Sequence, residues 1–315
     1  MARGVLRAEP EDFVVEEQLS FAPAGSGQHV LLKVRKRDAN TQWVARELSR
    51  ACGCRAMDVG YAGLKDRRAV AVQWFTVPKT RLTLEEWQSI TGEGFEVLEA
   101  HAHTRKLPRG ALEGNRFEIR IRNLVEADDL AARLELIGAR GVPNYFGPQR
   151  FGRDGSNLKG DQPRGFALSA ARSLIFNSVA AERVSDGSWA QLEEGDVANL
   201  DGRGSVFMAV PDPVLHERCK NLEIHPTGPM WGRGTLRSGG RIKELETSVA
   251  ARFSQECAQV EQAGMEQERR ALRLAVRDLK WHRDEADIAL SFRLTRGAFA
   301  TVVLREIVDY GDSST

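Results

Sequence analysis

The sequence predicts an α+β fold in which a largely antiparallel mixed sheet is flanked by helices. Several short segments alternate apolar and polar residues, as half-buried strands do, and segments of helical periodicity lie between them in mixed order. The clearest alternation is at 115–121, where Phe117, Ile119 and Ile121 share one face and charged side chains share the other. A length of 315 residues allows about two domains with substantial cores.

The first half of the chain contains most of the predicted strands. Alternation and apolar runs predict strands at 13–17, 29–35, 58–63, 69–77, 95–103 and 115–121. Helical periodicity predicts helices at about 41–51, 84–90 and 127–138. Asn40 or Thr41 is placed to cap the first helix, and Gly53 suits its C-terminal end. Asp66 is then expected on a tight connection between two strands, where a rigid sheet can aim it.

The composition changes at residue 141, where glycine, proline, aromatic residues and arginine become frequent. Beyond it the pattern predicts helices at 168–184 and 247–263. Residues 185–246, between them, are expected to be loop-rich, with a short strand at 206–210. The chain then returns to its earlier style, with two predicted strands and a helix at 272–276, 288–294 and 298–308. We therefore expect a discontinuous domain formed by residues 1–140 and 275–315, with an inserted domain at 141–274.

Charge is unevenly distributed along a chain whose formal net charge is only +1. Residues 33–68 contain ten Lys or Arg against four acidic residues, and residues 140–164 contain five against two. Local basicity of this kind favours a polyanion bound on one face, although solvated helix faces give similar counts.

The compartment is predicted from what the sequence lacks. It contains no run of about 18 apolar residues and no apolar secretory segment near its start. Its four cysteines are few for its length. We expect a cytoplasmic protein with reduced thiols and no membrane partner.

The segment 60–69 is the strongest candidate for chemistry. One carboxylate, that of Asp66, stands among three cations, Lys65, Arg67 and Arg68. These cations favour the ionised form of Asp66 and suit phosphate binding, while Gly60 and Gly63 allow a backbone to approach a ligand closely. The alternative is a surface turn whose charges neutralise one another.

Cofactor and metal chemistry is not indicated. Cys52 and Cys54 have Cys-x-Cys spacing, and Cys219 and Cys257 do not form a second zinc-binding pair. The Gly-Arg-Gly triplets lack the further glycine of a dinucleotide-binding loop, so no nucleotide cofactor is expected. No Gly-x-Ser-x-Gly element supports serine hydrolysis.

Aromatic residues near the predicted strands admit two interpretations. Core packing is the commoner role for Phe13, Phe117 or Phe299 taken singly, and the alternative is stacking on an unstacked base. Asn115 fits a turn or a contact to a base edge. Tyr145, Phe146 and Phe151 form a further aromatic group, interleaved with Arg150 and Arg153. Apolar periodicity is absent from this segment, which favours RNA contact over core packing.

Several ordered motifs resemble those of the TruD family of tRNA pseudouridine synthases. The central one is Gly-Leu-Lys-Asp-Arg-Arg-Ala at 63–69. The others, in chain order, are at 10–16, 40–45, 114–117, 143–152 and 297–301. The similarity spans nearly the whole chain and is weakest at about 185–270.

The resemblance implies a pseudouridine-synthase-like catalytic domain with an inserted α/β TRUD domain, and isomerisation of uridine 13 in the D-arm of tRNA. It implies Asp66 as the catalytic carboxylate. The substrate-binding residues would be Phe13, Asn115, Phe117, Phe299, Arg7, Lys65 and Arg67. Further RNA contacts would come from Arg68, Tyr145, Arg150 and Arg153. The resemblance leads us to expect lysine near the position of Arg7 in many relatives. Arginine keeps the charge but has a planar guanidinium, so a different contact geometry is expected there.

The implied reaction explains the loop without any cofactor. The base must leave C1′, rotate and rejoin through C5, so an anionic group is needed beside the sugar. A carboxylate can attack C1′ or remove a proton from the neighbouring carbon, and the sequence does not decide between them. Two rival functions remain: a non-catalytic RNA-binding or RNA-chaperone protein, and a small-molecule enzyme without salt-dependent RNA affinity. We expect a monomer whose partner is tRNA.

Overall fold

The computed structural model describes residues 1–125, 128–152 and 164–310, which fall into two compact units. The first unit is discontinuous and comprises Met1–Ala131, Arg277–Gly297 and the segment from Ile307 onward. The second comprises Ala132–Val276 and Ala298–Glu306.

The elements of the first part of the chain are eight strands and two helices. The strands are β1 (Ala2–Leu6), β2 (Phe13–Gln18), β3 (His29–Arg37), β4 (Gly60–Tyr61), β5 (Val70–Pro78), β6 (Thr91–Gly92), β7 (Phe95–His103) and β8 (Gly114–Val125). The helices are α1 (Thr41–Cys52) and α2 (Leu84–Gln88).

The middle of the chain contributes α3 (Leu130–Arg140), β9 (Val142–Pro143), α4 (Arg164–Ser185), β10 (Val197–Leu200), β11 (Val206–Met208), α5 (Pro213–Lys220), β12 (Ile224–Met230), α6 (Gly240–Ala251), α7 (Ser254–Gln262), β13 (Glu268–Ala271) and β14 (Arg273–Leu274). The last elements are β15 (Arg277–Asp284), β16 (Asp287–Thr295), α8 (Ala300–Leu304) and β17 (Val308–Asp309).

The described strands of the first unit form one mixed sheet. Its path runs β15-β16-β8-β2-β5-β3-β7-β6, with β1 beside β8 and β17, and β4 beside β5. Most neighbours are antiparallel, whereas β2–β5 and β1–β17 are parallel. The alternation predicted at 115–121 is confirmed, because Phe117, Ile119 and Ile121 are buried on β8.

Helix α1 packs on one face of this sheet through an apolar stripe. Val44 and Leu48 are fully buried in a cluster with Phe75 of β5 and the half-buried Trp43. Gly53 ends the helix in the left-handed region at φ +66, as the sequence predicts. Helix α1 is therefore fixed beside β5, the strand that follows residues 62–69.

The second unit has more regular structure than its sequence indicates. The stretch expected to be loop-rich contains α5, β10 and β12 in addition to a strand near the predicted one. Strand β12 was missed because its sequence, Ile-His-Pro-Thr-Gly-Pro-Met, reads as a turn. It is nevertheless a central strand, buried and paired with both β10 and β13.

Several predicted boundaries are wrong. The helix expected at 247–263 is two helices, α6 and α7, because Phe253 leaves the helical conformation and packs against Ile175 and Cys257. The helix expected at 298–308 is confined to α8, and β17 follows it to pair with β1. The strand expected at 58–63 is reduced to β4, and that expected at 272–276 to β14. Strands β1 and β15 were not predicted.

In the part of the chain that the structure describes, no helix is both long and apolar enough to cross a bilayer.

Candidate active site around Asp66

Asp66 lies in the connection between β4 and β5, as predicted. The two strands pair directly, with Gly60 opposite Thr76 and Tyr61 opposite Phe75. Residues 62–69 form the connection. Because β5 has β3 and β2 as its neighbours, the loop is mounted near the centre of the sheet.

The loop is anchored through its backbone. The amide N–H of Lys65 donates to Thr41 Oγ1 at 3.0 Å, and the Gly63 carbonyl accepts from Gln73 Nε2 at 2.6 Å. Thr41 in turn donates to Gln73 Oε1 at 3.0 Å. Since these supports hold main-chain atoms, the side chain of Asp66 stays 59% exposed.

Arg7 contacts the carboxylate of Asp66. Its Nη2 donates to Oδ2 at 2.6 Å, and its guanidinium lies over the Phe13 ring, 4.1 Å from the centroid. Arg7 follows the last residue of β1 and has φ +55, a conformation rare for a side chain with a Cβ. This backbone turn brings the start of the chain to the candidate catalytic group.

The cations adjacent in sequence to Asp66 have other partners. Lys65 forms a buried ion pair with Glu17 of β2, whose other oxygen accepts from the Trp74 amide at 2.9 Å. Arg67 Nε lies 3.5 Å from Asp38 Oδ1. Arg68 is exposed. The expectation that sequence neighbours surround the Asp66 carboxylate is therefore wrong for Lys65 and Arg67, and Arg7 supplies that contact.

Lys36 is a buried lysine beneath the loop. Its Nζ donates to the carbonyl oxygens of Asp66 at 2.8 Å and Ala39 at 2.7 Å. Burial lowers the pKa of Lys36 to about 8, partly opposed by the neighbouring carboxylate of Asp66. Burying an ammonium costs free energy unless it is well paired, so a buried lysine beneath the candidate catalytic residue indicates a specific role there.

The aromatic candidates Phe13 and Phe117 are core residues. Their rings meet edge to face at 6.0 Å, and Phe117 also stacks on Phe292 of β16 at 5.5 Å. Asn115 lies on β8 opposite Glu17, in a strand rather than a turn. Its Oδ1 is buried, and the described residues offer it no hydrogen-bond partner.

Gly60, at the start of β4, and Gly63, in the loop, have different roles, and only that of Gly60 differs from the expected one. A Cβ on Gly60 would lie 2.4 Å from Thr76 Oγ1 and 2.7 Å from the Leu107 carbonyl oxygen. Gly60 is therefore needed for contact with the protein's own backbone. A Cβ on Gly63 would meet nothing within 4 Å, so that position remains open to approach.

The remaining candidates belong to the second unit. Tyr145 and Phe146 pack against a core cluster that contains Phe176, so the expectation that they avoid the core is wrong. Arg150 Nη1 donates to Ser169 Oγ at 2.9 Å and lies over the Phe146 ring. Arg153 lies outside the described residues.

A cavity of about 440 Å³ opens in the second unit beside these residues. Tyr145, Phe151 and Glu306 are part of its lining. Burial raises the pKa of both Tyr145 and Glu306. Phe299 precedes α8 in the same unit, and its side chain is exposed at 58%.

Comparison with known proteins identifies the family. The model of the family described as tRNA pseudouridine synthase D (TruD) matches residues 2–159 and 164–307. The chain belongs to the TruD family. A TruD-family relative from Nitrosococcus oceani, named tRNA pseudouridine synthase D, is 44% identical over 98% of this chain and 91% of its own length. One of the same name from Methylococcus capsulatus is 43% identical over 98% and 92%.

A solved structure agrees with the TruD fold. It is titled as the putative tRNA pseudouridine synthase D (TruD) from Methanosarcina mazei. It superposes with a TM-score of 0.78 at 21% identity and covers 97% of this chain and 93% of its own. The predicted α+β fold class is thus confirmed.

Sequence reasoning did not identify Lys36 and Glu17 at this candidate site, although the pattern contains a signal for both. Val30, Leu32 and Val34 alternate along the buried face of β3, and Lys36 occupies the next position of that face. Glu17 likewise continues the buried face of β2. A charged residue in an apolar register predicts a specific buried partner.

Proposed function

We propose that this chain is a tRNA pseudouridine synthase that isomerises uridine 13 of the D-arm, with Asp66 as the catalytic carboxylate. The observation that carries the proposal is an exposed carboxylate on a loop anchored by its backbone, next to Arg7 and the Phe13 ring. The names of its relatives support the reaction and the tRNA substrate.

The reaction requires one anionic group at the ribose. The N1–C1′ bond breaks, a C5–C1′ bond forms, C5 loses its proton and N1 gains one, so no redox partner or water is consumed. Asp66 serves either by attacking C1′ or by removing the proton from C2′. In both cases the carboxylate must be ionised and exposed, and the geometry of Asp66 suits either role.

The target base must leave its stack, which costs about a few kcal/mol and is offset by new contacts. Arg7 now covers one face of Phe13, so a base stacked there would replace the guanidinium. We propose that Arg7 then moves to a phosphate. The buried Oδ1 of Asn115 suits an acceptor for a uracil N–H, because it lacks a partner among the described residues.

Other residues are proposed to bind the RNA or shape the base pocket. Phe117 supports Phe13 from behind, and Phe299 offers an exposed ring for stacking. Phosphate contacts are proposed for the cations Arg67, Arg68, Arg150 and Arg153, whereas Lys65, buried against Glu17, is proposed to hold the loop at the substrate site. Tyr145, half-buried beside the cavity, is proposed as a further RNA contact.

Different roles are proposed for the two units. We propose that the first unit is the catalytic domain and that the second is the inserted TRUD domain, which adds RNA-binding surface. We also propose that the protein acts as a monomer. Light scattering after size-exclusion chromatography tests this, and a mass near 35.0 kDa is expected.

The function is tested with purified protein and unmodified tRNA transcript. Pseudouridine is mapped at each uridine by chemical labelling and primer extension, with a transcript carrying cytidine at position 13 as control. Modification at uridine 13 alone is expected. Salt-dependent tRNA binding without any pseudouridine would support the rival function, an RNA-binding or chaperone protein.

A further inference from the structure

We infer that Lys36 is a positioning residue for Asp66: its ammonium ties the Asp66 carbonyl to the Ala39 carbonyl and thereby fixes the direction of the catalytic carboxylate. The inference rests on the proposed function, since it assigns Lys36 a role at the same site.

Few contacts fix the orientation of Asp66 apart from the one with Lys36. Its side chain is mostly exposed and touches Arg7, a residue that the proposed function releases to the RNA. Its backbone carbonyl is held by Lys36 at 2.8 Å. Once Arg7 has moved, the direction of the Cα–Cβ bond of Asp66 depends on the main-chain anchors of the loop, and Lys36 is the anchor on Asp66 itself.

Lys36 is suited to this task because it is rigidly held. It lies in β3, between Ala71 of β5 and Phe95 of β7, and is completely buried. Both of its acceptors are backbone carbonyls, and a charged donor forms the stronger class of hydrogen bond. An apolar side chain of similar length would fill the same space without holding the loop.

The charged groups that act on Lys36 come from the Asp66 loop, the turn after β3 and strand β2. Asp66 and Lys65 come from the loop, Asp38 from the turn after β3, and Glu17 from β2. The three carboxylates favour the charged form of Lys36, while Lys65 and burial disfavour it. Deprotonation weakens the hydrogen bond to Asp66 and removes a positive charge beneath the carboxylate.

The first experiment measures single-turnover pseudouridine formation and tRNA affinity for Lys36→Met. Because Lys36 is buried away from solvent, the tRNA Kd is expected to stay within about twofold, whereas the rate falls about 10- to 100-fold. The matched control is Lys33→Met, which removes a lysine of the same strand bound to Glu16 and Glu99 and should keep the wild-type rate. The wild-type rate is expected to fall as the pH rises from 7 to 9, and Lys36→Met should lack this fall.

A second measurement needs neither a variant nor RNA. Amide hydrogen exchange at Lys65 and Ala69 reports how well the loop is held. Protection, corrected for intrinsic exchange, is expected to fall about fivefold between pH 7 and 9 in the loop but not in β5, which matches the loss of one charge-assisted hydrogen bond.

The outcomes separate this inference from the function on which it rests. A wild-type protein that forms no pseudouridine contradicts the proposed function. If the wild type is active, three results contradict the role of Lys36. Lys36→Met is as active as the wild type, the two proteins have the same pH dependence of rate, or the protection of the loop amides does not change with pH.

Discussion

Arg7 and Asp66 are joined by a hydrogen bond of 2.6 Å although they lie 59 positions apart in the chain. The bond links the end of β1 to the connection between β4 and β5. It places the guanidinium between the candidate catalytic carboxylate and the Phe13 ring. In the proposed function, Arg7 is the residue that moves when a base enters.

Replacement of Arg7 tests its proposed transfer to a phosphate. Arg7→Met should weaken tRNA binding and reduce the slope of log K against log salt by about 1, because one phosphate contact is lost. Arg7→Lys keeps the charge and should keep the slope. Arg3→Met, which removes an exposed cation of β1, is the control. An unchanged slope in Arg7→Met would show that Arg7 stays away from the phosphates.

The ion pair between Glu17 and Lys65 is expected to stabilise the loop. The side chains are 0% and 10% exposed, so Lys65→Met leaves a buried carboxylate unpaired and should cost about 3–5 kcal/mol of unfolding free energy. The double variant with Glu17→Gln should be more stable than Lys65→Met alone. Urea denaturation of both single variants and the double variant measures the coupling, and simple additivity would contradict a direct interaction.

Gly60 of β4 and Gly63 of the loop provide a matched test of packing. Gly60→Ala should cost about 1–3 kcal/mol, because the new Cβ meets Thr76 and the Leu107 carbonyl, both held in place by a hydrogen bond of 2.8 Å. Gly63→Ala should change stability by less than about 0.5 kcal/mol, since its Cβ has open space. Equal melting temperatures for the two variants would refute this distinction.

Lys36 should make stability depend on pH. Its pKa is about 8 in the folded protein and near its ordinary 10.5 when unfolded, so between these values the unfolded chain binds more protons. Wild-type stability relative to Lys36→Met should therefore rise from pH 8 to 10.5, by at most about 3 kcal/mol. Chemical denaturation at several pH values measures the difference. A constant or falling difference would contradict a depressed pKa.

The two trends at Lys36 have opposite signs. Above pH 8 the folded protein becomes more stable relative to the variant, whereas catalysis is expected to slow. Loss of activity by unfolding cannot produce this combination, so the pair of measurements distinguishes positioning of Asp66 from general stabilisation.

Local sequence patterns predicted much of the fold. Alternation identified β8 and periodicity identified α1 and α4, because each buries one face of a regular element. The sequence pattern does not predict an element correctly where its structure depends on contacts with distant parts of the chain. Strand β12 contains Pro226 and Pro229 yet lies between two partners, and Phe253 breaks a helical pattern to reach an apolar cluster.

The site was predicted less completely than the fold. Asp66 and its loop follow from neighbouring residues, but the partner of its carboxylate, Arg7, is placed by β1, a strand that the sequence pattern does not predict. Lys65 was assigned to Asp66 by proximity in the chain, whereas the sheet brings it to Glu17. Such pairings depend on strand order, which one-dimensional spacing does not contain.

The proposed reaction depends above all on the carboxylate of Asp66. The decisive measurement compares pseudouridine at position 13 of a tRNA transcript after reaction with wild type, Asp66→Asn and the control Asp58→Asn, alongside tRNA affinity. Asp58 is a carboxylate bound to Arg55 outside the loop. We expect all three proteins to bind tRNA within about threefold and Asp66→Asn alone to form no pseudouridine. Wild-type modification by Asp66→Asn would contradict the account.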